Sequence, residues 1–393
     1  MNLKIDKPIR LIELFAGIGS QAAALRRLGA NFEHYRICEF DKYAIKSYNA
    51  VHGTDFATSD ITKITAEDLG IVDTDDYCYI VTYSFPCQDL SLAGKGKGMA
   101  KGDGTRSGLL WEVERLLNEC TELPQILLME NVTQVHGTKN KEHFEEWIAF
   151  LESKGYSNFW QDLNSKDYGI PQSRNRCYMV SILGNYTYSF PAPIPLEKTL
   201  GDILDEKVDD RYFLTEEKCH KIARWNAQQN PFEKVNGMES ISPTLTARGA
   251  GEYHSGMILV SPHLRKTTNI RGTILQQEVC RKALDMTKPY DIIDYTYSNA
   301  RLREIESGKG LQLKNKNDSS ISCTLTTQPE NFAVRIPNDM FRVITPLESW
   351  RLMGFSDEDC HRAATVCDDK RLYRQAGNSI VVDVLYYIFK NMI

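Results

Sequence analysis

The sequence predicts an α/β protein: a sheet covered by helices on both faces, with a smaller, irregular and mainly β region inserted before the last part of the chain. Strand-like and helix-like stretches alternate up to about residue 190, a glycine-rich turn joins the first strand to the first helix, and regular periodicity returns only from Phe341. Strands that alternate with helices in this way indicate βαβ units and a parallel sheet.

The apolar pattern places the individual elements. Short apolar runs predict strands at residues 10–15, 35–39, 79–84, 125–129 and 176–183. Apolar residues at helical spacing predict helices at residues 20–28, 42–51, 109–120 and 141–154. The apolar stretch 380–393 predicts a C-terminal helix that packs back onto the first region.

A proline-rich segment predicts a domain boundary. Pro191, Pro193 and Pro195 interrupt the regular pattern, and the following 150 residues or so are rich in polar, turn-prone runs. We therefore expect residues 1–190 and 341–393 to form one discontinuous domain and residues 191–340 a second one.

Composition and charge narrow the class of protein. The chain has 393 residues, of which 42% are hydrophobic and 25% charged. Its N-terminus leads directly into a predicted strand, so we expect neither a signal peptide nor a membrane span. We therefore expect the protein in the cytoplasm. Its ten cysteines include no Cys-x-x-Cys pair, which favours reduced thiols and predicts no metal site.

A basic loop suits a nucleic-acid backbone although the net charge is −5. Residues 94–106 hold four cations, Lys95, Lys97, Lys101 and Arg106, against the single acid Asp103. An ordinary solvated glycine-rich loop remains an alternative.

The first turn and the acids after the next strands predict a nucleotide-like cofactor. Phe15-Ala16-Gly17-Ile18-Gly19 lies between a strand and a helix, where glycines let a ligand approach the backbone. Glu39 ends the next strand, where a carboxylate can accept from ribose hydroxyls, and Phe40 can lie on an adenine ring. Asp60 can accept from the adenine amino group. The turn alone does not choose between cofactors.

Four residues at strand ends are candidates for the chemistry. Cys87 follows a buried strand and Pro86, Glu130 ends another strand, and Arg174 and Arg176 alternate into a third. A thiol at this position is a candidate nucleophile, a carboxyl at a buried strand end is a candidate proton donor, and paired arginines can converge on one anionic or carbonyl group.

Taken in order, these motifs resemble those of DNA cytosine-5 methyltransferases of bacterial and phage type. The resemblance rests on Phe15-Ala-Gly-Ile-Gly19, Glu39, Asp60, Phe85-Pro-Cys-Gln88, Glu130-Asn-Val132, Gln172-x-Arg174-x-Arg176, Thr345-Pro-Leu-Glu348 with Leu352-Met-Gly-Phe355, and Gln375-Ala-Gly-Asn-Ser379. It implies a Rossmann-like, S-adenosylmethionine-dependent methyltransferase fold, with residues 191–340 as the target-recognition domain. Phe40 replaces the Trp often found at the adenine-stacking position.

The resemblance also implies roles for individual residues. Cys87 would attack C6 of a cytosine flipped out of double-stranded DNA, Glu130 would protonate N3, and Arg174 and Arg176 would assist, Arg176 on the O2 side. The implied cofactor residues are Phe15, Ala16, Gly17, Gly19, Glu39, Phe40, Asp60, Ile61, Pro86, Leu109, Asn378 and Ser379. The implied DNA-binding residues are Gln88, Ser91, Lys95, Lys97 and Arg106 of the mobile loop, with Arg248 and Gln328 as candidate base readers.

Three other functions are alternatives to this one. A tRNA methyltransferase shares the Pro-Cys-Gln motif, but its Cys-Phe-Thr signature is missing and the insert is long. A catalytically inactive DNA-binding protein has no need of Cys87, Glu130 and the two arginines together. An NAD-dependent oxidoreductase explains the glycines and Glu39 but no other motif. We expect a monomer, with room for a separate cognate restriction endonuclease.

Overall fold

The computed structural model describes residues 4–87, 90, 98–102, 105–212 and 344–393, and the backbone of five short strands between residues 235 and 342. Its main sheet contains β1 (Ile9–Leu14), β2 (Phe32–Cys38), β3 (Cys78–Tyr83), β4 (Ile126–Asn131), β5 (Tyr156–Asn164) and β7 (Asn175–Leu183). The helices are α1 (Ser20–Leu28), α2 (Lys42–His52), α3 (Ala66–Leu69), α4 (Leu110–Glu119), α5 (Lys141–Ser153), α6 (Pro346–Arg351), α7 (Asp357–Ala364), α8 (Asp369–Asn378) and α9 (Val382–Lys390).

The strands of the main sheet lie in the order β2-β1-β3-β4-β7-β5. The first four strands of the chain are parallel, as predicted, but β7 runs antiparallel to both β4 and β5. A parallel neighbour needs a crossover of about a dozen residues or more. The link from Asn164 to Asn175 is too short for one and contains only the turn Ser165–Tyr168 and the two-residue strand Gln172–Ser173, so the chain reverses there. The prediction of a wholly parallel sheet is therefore wrong at β7.

The edge strand β5 was not predicted. Its sequence is largely polar and most of its residues are partly exposed, with Trp160 44% exposed. An edge strand has one neighbour and needs fewer apolar residues than a central one, so the apolar pattern gives little sign of it.

The sheet separates two hydrophobic cores. Successive strand residues point to opposite faces. Leu11 packs with α1 and α9 on one face, whereas the next residue, Ile12, packs with α4 and α5 on the other. Helices therefore cover both faces, as the sequence predicts.

The C-terminal segment returns to the first helix. Arg27 of α1 pairs with Asp383 of α9 at 2.9 Å, and Arg26 pairs with Asp359 of α7 at 2.5 Å, although these partners are 356 and 333 positions apart in the chain. The Ile5 N–H donates to the carbonyl of Met392 at 2.8 Å. The predicted packing of the last helix onto the first region is confirmed.

The remaining strands are short. β8 (Val235–Gly237) pairs antiparallel with β9 (Asp291–Ile293), β11 (Val334–Ile336) pairs antiparallel with β12 (Met340–Arg342), and β6 (Gln172–Ser173) pairs in parallel with β10 (Ser322–Cys323). The domain boundaries near residues 190 and 341 stay a prediction. Within the described residues, no helix is both long and apolar enough to cross a membrane.

Candidate active site

The turn after β1 has an unusual backbone. Phe15, Gly17 and Gly19 have φ angles of 59°, 58° and 80°, in the left-handed region that glycine tolerates best. The Glu39 carboxylate at the end of β2 accepts from the Gly17 N–H at 2.9 Å and from the Asp41 N–H at 2.8 Å. The acid therefore holds the turn against the end of the neighbouring strand.

The two glycines serve different purposes. A Cβ on Gly19 would lie 2.2 Å from His52 Nε2 and 2.7 Å from Tyr48 Cε2, so only glycine lets α1 start this close to α2. A Cβ on Gly17 would meet no atom within 4 Å. Gly17 thus borders open space at the carboxyl end of β1, where a ligand can approach the backbone.

Phe40 and Asp60 lie beside this turn. The Phe40 side chain is 77% exposed, an unfavourable position for a large apolar ring without a partner. Asp60 accepts from the backbone N–H and the hydroxyl of Thr62, and these donors lower the pKa of its carboxyl. The next residue, Ile61, is buried, and the Ser59 N–H donates to the Glu39 carbonyl at 2.9 Å.

A buried acid beneath the turn was missed by the sequence analysis. Glu13 in β1 has no exposed surface and accepts from the Tyr48 hydroxyl at 2.5 Å and from the Ala22 N–H at 3.4 Å. Burial raises the pKa of Glu13 to about 7. His34 Nδ1 also contacts the Tyr48 hydroxyl at 2.9 Å, so a polar network joins β1, β2 and α2 under the glycine turn.

Two buried side chains hold the segment that carries Cys87. Asn131 Nδ2 donates to the Phe85 carbonyl at 2.9 Å, and the Ser107 hydroxyl donates to the Pro86 carbonyl at 2.8 Å. Asn131 and Ser107 are 2% and 0% exposed. The backbone immediately before the thiol is thus fixed from β4 on one side and from the turn before α4 on the other.

Glu130 and Arg176 form an ion pair near this thiol. Arg176 Nε lies 3.3 Å from Glu130 Oε1, and the two side chains are only 14% and 10% exposed. Burial raises the pKa of Glu130, against the opposing effect of Arg176 and Arg174. Burial and the two arginines therefore act in opposite directions on the ionisation of the Glu130 carboxyl.

The Cys87 thiol lies within reach of the same charges. Burial raises its pKa, while the positive charges of Arg176 and Arg174 lower it and the Glu130 carboxylate raises it. Protonation of Glu130 removes one of the two effects that oppose the thiolate. Cys87, Glu130 and the two arginines therefore form one electrostatic unit at the ends of β3, β4 and β7.

Arg174 also fastens the C-terminal motif to this unit. The guanidinium is buried and donates to the carbonyls of Gly377 at 3.1 Å and Ser379 at 2.8 Å. Because these carbonyls flank the exposed Asn378, Arg174 fixes the backbone that presents it. Gln375, at the start of the same motif, donates to the Tyr43 carbonyl at 3.0 Å, which ties α8 to α2.

The family described as C-5 cytosine-specific DNA methylase matches residues 9–393. The chain belongs to this family. It is a DNA cytosine-5 methyltransferase that uses S-adenosylmethionine, so the predicted family, fold and activity are confirmed. The family assignment also rejects the oxidoreductase alternative.

Relatives of this methyltransferase are described as type II and as orphan methyltransferases. It is 28% identical to the type II methyltransferase M2.ScrFI of Lactococcus lactis subsp. cremoris, over 98% of this chain and 99% of that one. It is 33% identical to the orphan methyltransferase M.SssI of Spiroplasma monobiae, over 62% of this chain and 81% of that one. The S. pombe Dnmt2 methyltransferase shares the fold, with a TM-score of 0.60 at 22% identity over 98% of each chain.

Several residues that we predict to bind DNA lie outside the residues that the structure describes. These are the loop residues Gln88, Ser91, Lys95 and Lys97 and the candidate base readers Arg248 and Gln328. Arg106, the last cation of the loop, is exposed. Leu109 is partly buried against the core at the start of α4. The DNA-binding assignments stay predictions.

The sequence-based predictions do not include Asn131 and Ser107, the two side chains that hold the segment before Cys87. The sequence indicates Asn131 more clearly than Ser107. Asn131 is the middle residue of the Glu130-Asn-Val132 motif, so its position was marked although its contact with Phe85 was not. Ser107 follows Arg106 at the end of the basic loop, and its hydrogen bond to Pro86 spans 21 positions of the chain. Only the fold shows that contact.

Proposed function

We propose that this methyltransferase modifies a cytosine flipped out of double-stranded DNA, and that Cys87 attacks C6 of the base. The observation that carries the proposal is the convergence of a thiol, a buried carboxyl and two guanidinium groups. Glu130 and Arg176 are paired at 3.3 Å, and both act electrostatically on Cys87. Because C6 is inaccessible in a stacked duplex, the reaction requires flipping, at a cost of about a few kcal/mol.

Cys87, Glu130 and Arg176 each have a distinct task in the proposed reaction. The Cys87 thiolate forms a bond to C6, and electron density moves toward C5. Glu130 delivers a proton to N3, so the ring need not carry a full negative charge. Arg176 keeps the carboxyl oriented and stabilises the O2 side of the ring. After C5 has received the methyl group, its proton passes to solvent water, the C5–C6 double bond re-forms and the C6–S bond breaks, which releases the Cys87 thiolate. N3 returns its proton to Glu130.

The raised pKa of Glu130 supports the proton-donor assignment. An exposed glutamic acid is ionised at neutral pH and has no proton to give. Burial favours the neutral form of Glu130, while the two arginines limit that effect and favour return of the carboxylate. The net direction, a raised pKa, supports Glu130 as the group that donates a proton to N3.

The residues around the glycine turn fit the nucleoside part of S-adenosylmethionine. Gly17 leaves open space beside the backbone, and Phe40 exposes a ring that an adenine can cover. We assign Glu39 to the ribose hydroxyls and Asp60 to the adenine amino group, with Phe15, Ala16, Gly19, Ile61, Pro86, Leu109, Asn378 and Ser379 completing the pocket. When bound, S-adenosylmethionine supplies the methyl group that C5 receives.

We further assign DNA contacts to the two regions that the sequence singled out. The basic loop from Gln88 to Arg106 would close over the flipped nucleotide and contact its phosphates. Residues 191–340 would read the target sequence, with Arg248 suited to guanine and Gln328 to adenine. The type II and orphan relatives support either a modification enzyme paired with an endonuclease or one that acts alone. We propose a cytoplasmic monomer.

Methyl transfer by the purified full-length protein tests the proposal. Labelled S-adenosylmethionine is supplied with duplex DNA or with tRNA, and the duplex product is mapped by bisulfite sequencing. We expect transfer to duplex DNA at cytosines in one sequence context. Transfer confined to tRNA would contradict the DNA assignment.

Two cysteine variants form a matched pair in the same assay. Cys87→Ser should abolish transfer while DNA binding survives. Cys120→Ser changes a partly buried thiol at the end of α4 and should retain activity. Undiminished transfer by Cys87→Ser would refute the proposed mechanism.

A further inference from the structure

Three potential metal ligands meet at the outer end of the sheet. His136 lies in the turn after β4, Asp162 in β5 and Cys177 in β7, and their ligand atoms all lie within 4.8 Å of one another. His136 Nε2 is 2.9 Å from Asp162 Oδ1. None of the three belongs to the site proposed for methyl transfer.

The sheet register explains why the group forms. Cys177 lies directly opposite Asp162 across β5·β7 and directly opposite Asn131 across β4·β7. Residues that are paired across neighbouring strands project on the same face. Asn131, Cys177 and Asp162 therefore form one row across three strands, and the turn after β4 brings His136 to the end of this row.

The imidazole is also held in place by its surroundings. Its ring lies 4.7 Å from the Trp160 ring, at an interplanar angle of 35°, and 6.1 Å from the Phe144 ring. Cys177 is fully buried, whereas the side chains of His136 and Asp162 are 24% and 31% exposed. One donor is thus shielded and two border solvent, so an ion can reach the group from the solvent side.

We propose that His136, Asp162 and Cys177 bind a divalent cation of the Zn²⁺ class, with water as the fourth ligand. A thiolate, an imidazole and a carboxylate are the donors that Zn²⁺ takes in tetrahedral sites, and the thiolate disfavours Mg²⁺ and Ca²⁺. The Cys177 thiol transfers its proton to solvent when the sulfur binds the ion. The lack of a Cys-x-x-Cys pair predicts no metal site, whereas these three donors come from three separate elements of the fold.

Such an ion would stiffen the part of the sheet that carries the catalytic groups. Cys177 follows Arg176 in β7, and its cross-strand partner Asn131 follows Glu130 and holds the Phe85 carbonyl. The ion would link β7 to β5 and to the turn after β4. We therefore expect it to raise stability, with the donors acting as ligands and not as catalytic residues.

Cobalt binding provides a direct test. Tag-free, full-length protein is stripped of metal with a chelator and titrated with Co²⁺, whose bond to a thiolate produces a charge-transfer absorption band. We expect this band in the wild-type protein and its loss on addition of Zn²⁺. His136→Asn and Cys177→Ser should each weaken Co²⁺ binding by about tenfold or more.

The control is Cys360→Ser, which changes a buried thiol in the opposite core and should keep the band. His136→Asn alters a partly exposed side chain, so it keeps the test valid if Cys177→Ser fails to fold. The proposal is overturned if the folded wild-type protein gives no band, if His136→Asn binds Co²⁺ with wild-type affinity, or if folded Cys177→Ser keeps the band. The readout does not involve methyl transfer, so it is independent of the role of Cys87.

Discussion

Alanine substitutions at Gly17 and Gly19 distinguish the two roles of the glycine turn. Gly17 faces the space where we place the cofactor, whereas Gly19 packs against His52 and Tyr48. Both residues have positive φ, at 58° and 80°, so each substitution places a Cβ in the left-handed region. That conformation costs about 1–2 kcal/mol for a residue with a side chain. Both variants should therefore lose some stability.

The atoms around the added methyl group determine how much more stability Gly19→Ala loses than Gly17→Ala. At Gly17 the added carbon meets nothing within 4 Å, so the conformational cost stands alone. At Gly19 it would overlap His52 and the fully buried Tyr48, which adds an overpacking cost of about 1–3 kcal/mol. We expect losses of about 1–2 kcal/mol for Gly17→Ala and about 2–5 kcal/mol for Gly19→Ala.

Two measurements on the same proteins check this reasoning. Urea unfolding of the ligand-free proteins gives the stability difference, and calorimetric titration with S-adenosylhomocysteine gives the affinity. Gly17→Ala should bind at least about tenfold more weakly, equivalent to about 1.4 kcal/mol, although it is the more stable variant. Equal stability losses would refute the packing argument, and unchanged affinity in Gly17→Ala would refute the placement of the cofactor.

Three further predictions concern buried polar groups. Asn131→Ala should lower kcat more than it raises KM in steady-state methylation, because the Phe85 carbonyl loses its donor; an effect on KM alone would contradict this. Arg174→Ala should destabilise the protein by about 2–4 kcal/mol, since two carbonyls lose a buried charged donor, whereas Arg176→Ala should mainly reduce turnover; the reverse pattern in unfolding and transfer assays would be inconsistent with the contacts. The pKa of Glu13 is raised from 4.5 to about 7 in the folded state, so its stabilising contribution is complete below pH 4.5 and is lost as the pH rises through about 7. Unfolding measured across this range should show the wild type losing about 3 kcal/mol relative to Glu13→Gln, and a pH-independent difference would rule out the buried titration.

The sequence predicts the central elements well because their apolar patterns are strong. The helix Ser20–Leu28 has the predicted bounds, and the buried strands β1, β3 and β4 lie within a residue or two of their predicted positions. β5 was missed because its exposed side gives it a polar sequence. The direction of β7 depends on its short link to β5, which the apolar pattern does not encode.

The sequence predicts which residues belong to the candidate site, but it does not predict how their side chains are arranged. The ordered motifs name Cys87, Glu130 and Arg176 individually. Their electrostatic coupling follows from strand order, which places β7 beside β4 although a whole helix and a strand separate them in sequence. The same applies to Glu13, whose protonation depends on burial beneath α1 and α2.

Trapping with 5-fluorocytosine tests the central assignment, the bond between Cys87 and cytosine, most directly. Duplex DNA carries this base at the cytosine that bisulfite sequencing identifies, and the fluorine blocks the final elimination that releases the thiolate. The protein is incubated with this DNA and S-adenosylmethionine, digested and examined by mass spectrometry. We predict a covalent DNA adduct on the peptide that contains Cys87, and none with Cys87→Ser. An adduct on another residue, or no adduct while unmodified DNA is still methylated, would contradict the account.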